Sequence, residues 1–538
     1  MLLLAAVVYA IAVAVLSWPL ISQMGSSVVD PQQLPAEGGV WGRTDLDLLI
    51  WILSWTAHAL ATDPRNLFQA NLFFPVRDTL ALSENLLGLA PFATPIFWLS
   101  GNPILTYNAT VLFVVWLTAL CTYALVRAWT GSTTAALFAG VSFAFGPHVV
   151  GSWIRLHCSA VHFFPLVILL GWRAARTPRL GTLAALASVT ALQLLAGIYA
   201  AFELFVLLSA LAPALVVEAR RSGHRGLAPL CSIAVGMLAL LAVGPAYLRV
   251  RASGVFPDIP EAMASVASMS PEPGIVAGWI VHDMGWMVIA LSVIGLLASR
   301  QVGWHMRAAI LLAGVVGGVL SSGTASSLIP GTSLPSAYEV LIRFAPGFSG
   351  MRSPSRFIVL PLLAISIVAG LGAGRMIELA GDGFGRWAAS LVSAVVGLLA
   401  VVQVASEMPS AGLPTAPVRL GGVAHAVHAW LRDHAEPGPV LELPVANSAI
   451  DGPALLATGR AMVGSTLHFM PLLGGYSGYR PANSALIMTL AQRLPDPVSF
   501  AALCAVAPPR WLVVHLGLIG NGDAAWGAAE RELGLTSA

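Results

Sequence analysis

Two carboxylates one residue apart, Asp45 and Asp47, stand where a polar loop runs into the apolar stretch Leu48-Leu49-Ile50-Trp51. Only 10% of the chain is charged, and acids at the edge of an apolar run could hold a divalent cation such as magnesium or manganese, a metal-bound phosphate, or a substrate proton. The same positions could instead start a helix. Thr44 or Asp45 would then accept from the free N–H groups of a helix running through Trp51, Trp55 and His58.

Further groups of the right chemical type are scattered along the chain. Glu84 closes the same polar region, either as a third acid of a site or as a cap for the turn at Asn85. Glu203 follows Tyr199 by one helical turn inside an apolar run. Burying an acid there is costly and marks it as functional, unless it lies near enough to the surface to be solvated. His282-Asp283 reads as a proton relay, a ligand pair or a structural hydrogen bond. His148, His157 and His162 lack the i, i+4 and acid pattern of a zinc helix, and the four cysteines show no C-x-x-C spacing.

Composition says what must position these groups. Hydrophobic residues make up 57% of the 538-residue sequence, and apolar runs near the ~20-residue bilayer length recur. The fold class is therefore mainly α, a polytopic membrane protein. A net charge of +2 gives no nucleic-acid footprint. Every basic residue is arginine, which excludes Schiff-base and lysine-anchored cofactor chemistry and leaves arginine for phosphate recognition.

We expect about eleven spans: the first apolar run to Leu20, then about 105–127, 133–150, 158–172, 180–196, 197–218, 226–247, 277–298, 306–322, 357–374 and 387–406. The first run has no basic leader and no small-residue cleavage pattern, so it reads as retained. The segment from Asp45 to about Thr62 and the proline-bearing run from Leu86 to Leu99 are expected to lie along the interface rather than span. This count places Arg127, Arg173, Arg176, Arg179, Arg220, Arg221, Arg225, Arg300, Arg307, Arg375 and Arg386 in cytoplasmic turns, as the positive-inside bias requires. The first loop (21–104), Arg155, the loops 249–274 and 323–356 and the C-terminal part then share the extracytoplasmic face.

Hydropathy drops after residue 407, and 408–538 read as a small α/β domain with a helix near 423–434 and strands near 440–445 and 511–515. Between those strands, Leu472-Leu-Gly-Gly-Tyr-Ser-Gly-Tyr-Arg-Pro481 is rich in turn residues and aromatics that could pack on a sugar or close over the membrane face.

Several stretches carry a family likeness: Asp45-Leu-Asp47, Asn71-Leu-Phe-Phe-Pro75, Gly101-Asn-Pro103 with Tyr107-Asn108, and Pro346-Gly-Phe-Ser-Gly-Met-Arg352-Ser-Pro-Ser-Arg356-Phe357. Together they resemble bacterial multispanning glycosyltransferase-like proteins of the GT-C class. The likeness covers most of the membrane part and reaches the tail through the Leu-Leu-Gly-Gly-Tyr stretch.

The resemblance implies a protein of the bacterial inner membrane with a catalytic acid in the first outer loop. It implies a polyprenyl-phosphate-sugar donor, an extracytoplasmic glycan, lipid or protein acceptor, and an inverting single displacement. It makes Asp45 the general base and Asp47 a metal ligand or a capping bystander. Arg155, Arg352 and Arg356 become candidates to hold the phosphate, where they could equally snorkel to lipid headgroups. Glu84, Tyr199, Glu203, His282 and Asp283 complete the substrate-binding candidates. Two rival readings are a non-catalytic envelope-polymer assembly protein of the same architecture and a lipid or solute transporter, although the inverted repeats expected of a transporter are not evident.

Overall fold

The computed structural model describes residues 1–538 apart from 35–38, 147, 149–151, 301, 326–333, 409–411, 419–422, 447–451, 520–525, 530–531, 534 and 537–538. Among the described residues, seven helices are long and apolar enough to cross a membrane. They are Pro103–Thr130, Leu156–Arg176, Ile198–Arg221, Pro273–Ala298, Trp304–Ser321, Pro354–Phe384 and Arg386–Ser406. The bent pair Leu227–Met237 and Leu240–Ala252, with 46° between its halves, makes eight if counted as one span. The chain is an integral membrane protein of mainly helical fold.

Fewer helices reach that length than the eleven spans expected. Leu2–Leu16, Thr133–Ala144 and Leu180–Leu194 have 15, 12 and 15 residues. At 1.5 Å per residue they reach only about 18–23 Å, against a hydrocarbon core of about 30 Å. Ala90–Ser100, with 11 residues, is shorter still, in keeping with a run that does not span.

The Pro354–Phe384 segment lies at the centre, buried along almost all its apolar length, whereas Arg386–Ser406 turns Leu391, Val395, Leu398 and Val402 outward. Glycines let its inner neighbour approach. A Cβ on Gly372 would lie 1.9 Å from the Leu291 carbonyl oxygen, and one on Gly295 would lie 2.0 Å from that of Val368. Such close backbone crossings replace the hydrophobic driving force that helices lack in lipid.

The helix carrying the paired acids begins at Gly39 and runs to Thr62. Asp45 and Asp47 are thus inside it, not at its start, and neither caps it. Leu46, the run Leu48–Leu53 and Trp55 are all buried against the rest of the protein. One side packs on Pro103–Thr130 and another on Gly452–Ser465 of the C-terminal part.

That C-terminal part has a two-stranded parallel sheet, Val440–Leu443 with Trp511–Val514, and helices at Val423–His434, Gly452–Ser465, Ala482–Ala491 and Pro497–Val506. Leu441, Leu443, Leu473, Ile487, Met488 and Leu503 form a small core of its own. It also clasps the first loop: Ser27–Val29 pairs antiparallel with Thr415–Pro417, Val28 facing Ala416.

Candidate functional site

Residues i and i+2 of a helix point to different sides, about 200° apart. Asp45 and Asp47 accordingly part company. The Asp47 side chain is 1% exposed; its Oδ1 accepts from Arg43 Nε at 3.2 Å, and it faces Gly459 of the tail helix. A Cβ on Gly459 would stand 2.7 Å from Asp47 Oδ2. Burial pushes the Asp47 carboxyl up, against the pull of the Arg43 and Arg460 guanidiniums. Asp47 is part of the joint between loop and tail.

Asp45 turns the other way and keeps 27% of its side chain exposed. Its Oδ1 accepts from the Tyr476 hydroxyl at 2.7 Å, and its Oδ2 lies 3.8 Å from Arg155 Nε. Tyr476 belongs to the Leu472–Pro481 stretch, which the structure folds against the acid-bearing helix. Burial, with the Asp45 charge second, pushes the Tyr476 phenol up and keeps it a donor.

The loop before the central span supplies the other arginines. Arg352 Nη2 donates to the Gly478 carbonyl at 2.8 Å, and its guanidinium lies 4.8 Å from the centre of the Tyr479 ring. Tyr479 ties down both neighbours: its hydroxyl donates to Gly350 O at 2.8 Å and its N–H to Leu82 O at 3.0 Å. Arg356 sits 4.1 Å over the Tyr199 ring, and the Tyr199 hydroxyl accepts from Ser353 N–H at 2.9 Å. The Arg356 charge acts on Glu84, Glu203 and Asp45 together.

Glu84 does cap a helix, though a distant one. Its carboxylate accepts from the N–H of Ile198, the first residue of the Ile198–Arg221 helix. Burial pushes Glu84 up while that N–H and Arg356 pull it down. Glu203, one turn beyond Tyr199, is buried rather than solvated. The structure thus sets Asp45 against Arg155 and Tyr476, Arg356 over Tyr199, and Arg352 against the stretch that carries Tyr476. A partly exposed carboxylate set between a phenol and a guanidinium could take a proton from a hydroxyl while a nearby cation holds an anionic leaving group.

His282 and Asp283 do not join it. Their 3.5 Å contact lies on the Pro273–Ala298 helix, with His282 largely exposed. The neighbouring acid is Glu407, which burial and then the Asp283 charge push up to about 7.

A divalent metal shared by Asp45 and Asp47 does not fit this arrangement. Magnesium or manganese would need near-octahedral oxygen donors, but the two acids face opposite sides and each faces an arginine. Among the described residues no group of three histidine, cysteine, aspartate or glutamate side chains could hold a metal ion.

Other motif residues turn out to be structural. Asn102 accepts from Ile104 and Leu105 N–H, with Pro103 opening the long helix. Asn108 Nδ2 donates to Met24 O and Ser27 O, both at 2.8 Å. Asn71 accepts from Trp51 Nε1 at 2.9 Å and donates to Met470 O at 3.1 Å. Sequence reasoning flagged the stretch holding Tyr476 and Tyr479 but not either residue. Their signal was the pairing of aromatics with turn residues, which names a loop and not its target.

No family model matches the chain, and no curated protein was found similar in sequence. Two cryo-EM structures of a mutant mycobacterial arabinofuranosyltransferase, AftD, are similar in fold, with TM-scores of 0.52 and 0.53 at 17% identity. The matches cover 92% and 91% of this chain but 34% of AftD, so the chain spans about a third of that protein's length. The likeness is one of fold.

Proposed function

We propose that this chain is a membrane glycosyltransferase that moves a sugar from a polyprenyl-phosphate donor to an acceptor hydroxyl on the extracytoplasmic face, with Asp45 as general base. The observation that carries the reading is the placement of Asp45, open to solvent on one side and set between Tyr476 and Arg155 on the other. Arg352 and Arg356 stand behind it on the loop that enters the central span. The protein sits in the bacterial inner membrane, with this site and residues 408–538 outside.

In the reaction the acceptor oxygen attacks the anomeric carbon as the bond from that carbon to the phosphate oxygen breaks. The hydroxyl proton passes to Asp45, and the polyprenyl phosphate leaves with the bonding pair. Arg155 and Arg356 offset the charge that grows on the leaving phosphate. Tyr476 fixes the rotamer of the Asp45 carboxylate, so that its free lone pairs face the acceptor. The single displacement inverts the anomeric centre. By likeness to AftD, arabinofuranose is the sugar to try first.

The test uses purified protein in proteoliposomes with a radiolabelled polyprenyl-phosphate arabinofuranose and a short arabinofuranosyl acceptor. Transfer that falls at least about 100-fold in Asp45→Asn, with thermal unfolding unchanged, supports general-base catalysis. Equal transfer by the variant, or none by the unaltered protein with any polyprenyl-phosphate pentose or hexose, favours the assembly-protein reading.

A further inference from the structure

A second polar cleft lies on the same helix as Asp45, beyond Trp55. It has a volume of about 450 Å³ and is walled by Trp55, Thr62, Asp63, Asn66, Gln69 and Arg77. At 1.5 Å per residue, the helix carries this wall roughly 15–25 Å from Asp45. It is separate from the cluster described above.

The cleft is built rather than incidental. Trp55 Nε1 donates to Leu67 O at 2.8 Å, and the ring stacks on Trp51, so its position is fixed. The Gln69 amide is held at both ends by Asp78, donating to its carboxylate at 2.9 Å and accepting from its N–H at 3.2 Å. Arg249 locks Asp78 in turn with two bonds of 2.8 Å. Asn66 Nδ2 donates to Asp63 Oδ2 at 2.8 Å, which ties the two side chains together.

We infer that this cleft binds a neutral glycan, as a distal subsite for the acceptor chain. Carboxylate, amide and guanidinium side chains supply the donors and acceptors that vicinal hydroxyls pair with, and Trp55 closes one end of the wall. The volume lies in the range of small-molecule sites and suits one or two sugar rings. The wall holds one arginine and one aspartate, so it carries no excess charge to hold a phosphate or an acidic sugar. The inference rests on the transfer reading for the side of the membrane and for the role of the bound chain. Held here, a long acceptor would present its far end to Asp45, and short acceptors would lose that anchorage.

The experiment titrates linear neutral tetrasaccharides of arabinofuranose, mannose and glucose, and separately glycerophosphoethanolamine, into the full-length protein in nanodiscs. Saturation-transfer NMR and tryptophan fluorescence report binding. At least one tetrasaccharide should bind, and Asn66→Ala and Arg77→Ala should each weaken it about tenfold, the worth of one hydrogen-bonded group. Both residues are exposed, so folding is spared. Asp45→Asn should leave this binding intact while abolishing transfer, which separates failure of the subsite from failure of the transfer reading. Three silent tetrasaccharides, binding indifferent to both alanine variants, or binding of glycerophosphoethanolamine alone would overturn the inference.

Discussion

The Tyr476 hydroxyl and the Asp45 carboxylate meet at 2.7 Å across 431 positions of sequence. One bond joins the acid of the first loop to the last quarter of the chain. Removing it with Tyr476→Phe leaves the ring packing in place and frees one carboxylate oxygen. A hydrogen bond to a charged group contributes about 1.5–3 kcal/mol when buried, and the partial exposure of Asp45 reduces that to about 1 kcal/mol. We expect a small drop in thermal unfolding temperature and a transfer rate about tenfold lower, measured in proteoliposomes.

Arg155 sets a cation 3.8 Å from the Asp45 carboxylate, from a different segment of the chain. Arg155→Gln should raise the KM for the lipid-linked donor about tenfold and change kcat less, whereas Asp45→Asn acts on kcat. Steady-state kinetics over a range of donor concentration separate the two. A variant with unchanged KM would remove Arg155 from the phosphate's surroundings.

The joint between loop and tail has no spare room at Gly459. Gly459→Ala pushes a methyl group to 2.7 Å from Asp47 Oδ2. Both helices are buried at that point, and overpacking of this kind costs about 1–3 kcal/mol. The expected readout is faster proteolysis of the tail in the variant, with the membrane helices still protected.

Inside the membrane, Gly372→Ala places a methyl group 1.9 Å from the Leu291 carbonyl. Neither backbone can yield without parting the two helices, so the cost is about 3 kcal/mol or more. Size-exclusion profiles in detergent should show less monodisperse protein and a lower unfolding temperature. Gly318→Ala has open space around its Cβ and is the matched control.

Stability of the tail should peak near pH 6.5. Glu442 accepts from His515 Nε2 at 2.7 Å and lies 3.5 Å from His428 Nε2, while His428 and His468 meet at 3.2 Å. The Glu442 bond raises His515 above its ordinary 6.5, so its stabilisation is complete below 6.5 and fades as pH rises through the folded value. Burial lowers His468 to about 4, so the unfolded chain takes up more protons between 4 and 6.5 and acid erodes stability in that window. Chemical unfolding followed by tryptophan fluorescence should show both limbs. His515→Gln should flatten the alkaline limb and leave the acid limb in place.

The sequence singled out Asp45 but left helix capping open beside chemistry, and the start of the helix at Gly39 removes the capping reading. Its helix was less legible: starting it at Gly39 places Gly39 and Gly42 in helical turns that propensity disfavours, and burial against the tail overrides the preference. Fewer long helices form than expected for a related reason. Hydropathy sums a short helix together with the apolar turn after it, so Leu180–Leu194 followed by Leu195 and Ala196 scores like a full crossing. Arg352 and Arg356 could be picked out by charge, but their partners Gly478 and Tyr199 could not, since nothing local encodes a contact so far along the chain.

The antiparallel pairing of Ser27–Val29 with Thr415–Pro417 bears on biosynthesis. Translation delivers Asp45 to the membrane early, when its eventual partner Tyr476 has yet to be made. The acid waits through the insertion of every spanning helix, and the late-arriving tail must find the waiting strand and dock before the carboxylate is oriented. A chain cut after residue 406 would keep its spanning helices but lack the hydroxyl that holds the Asp45 carboxylate, so the proposed transfer depends on the tail having docked.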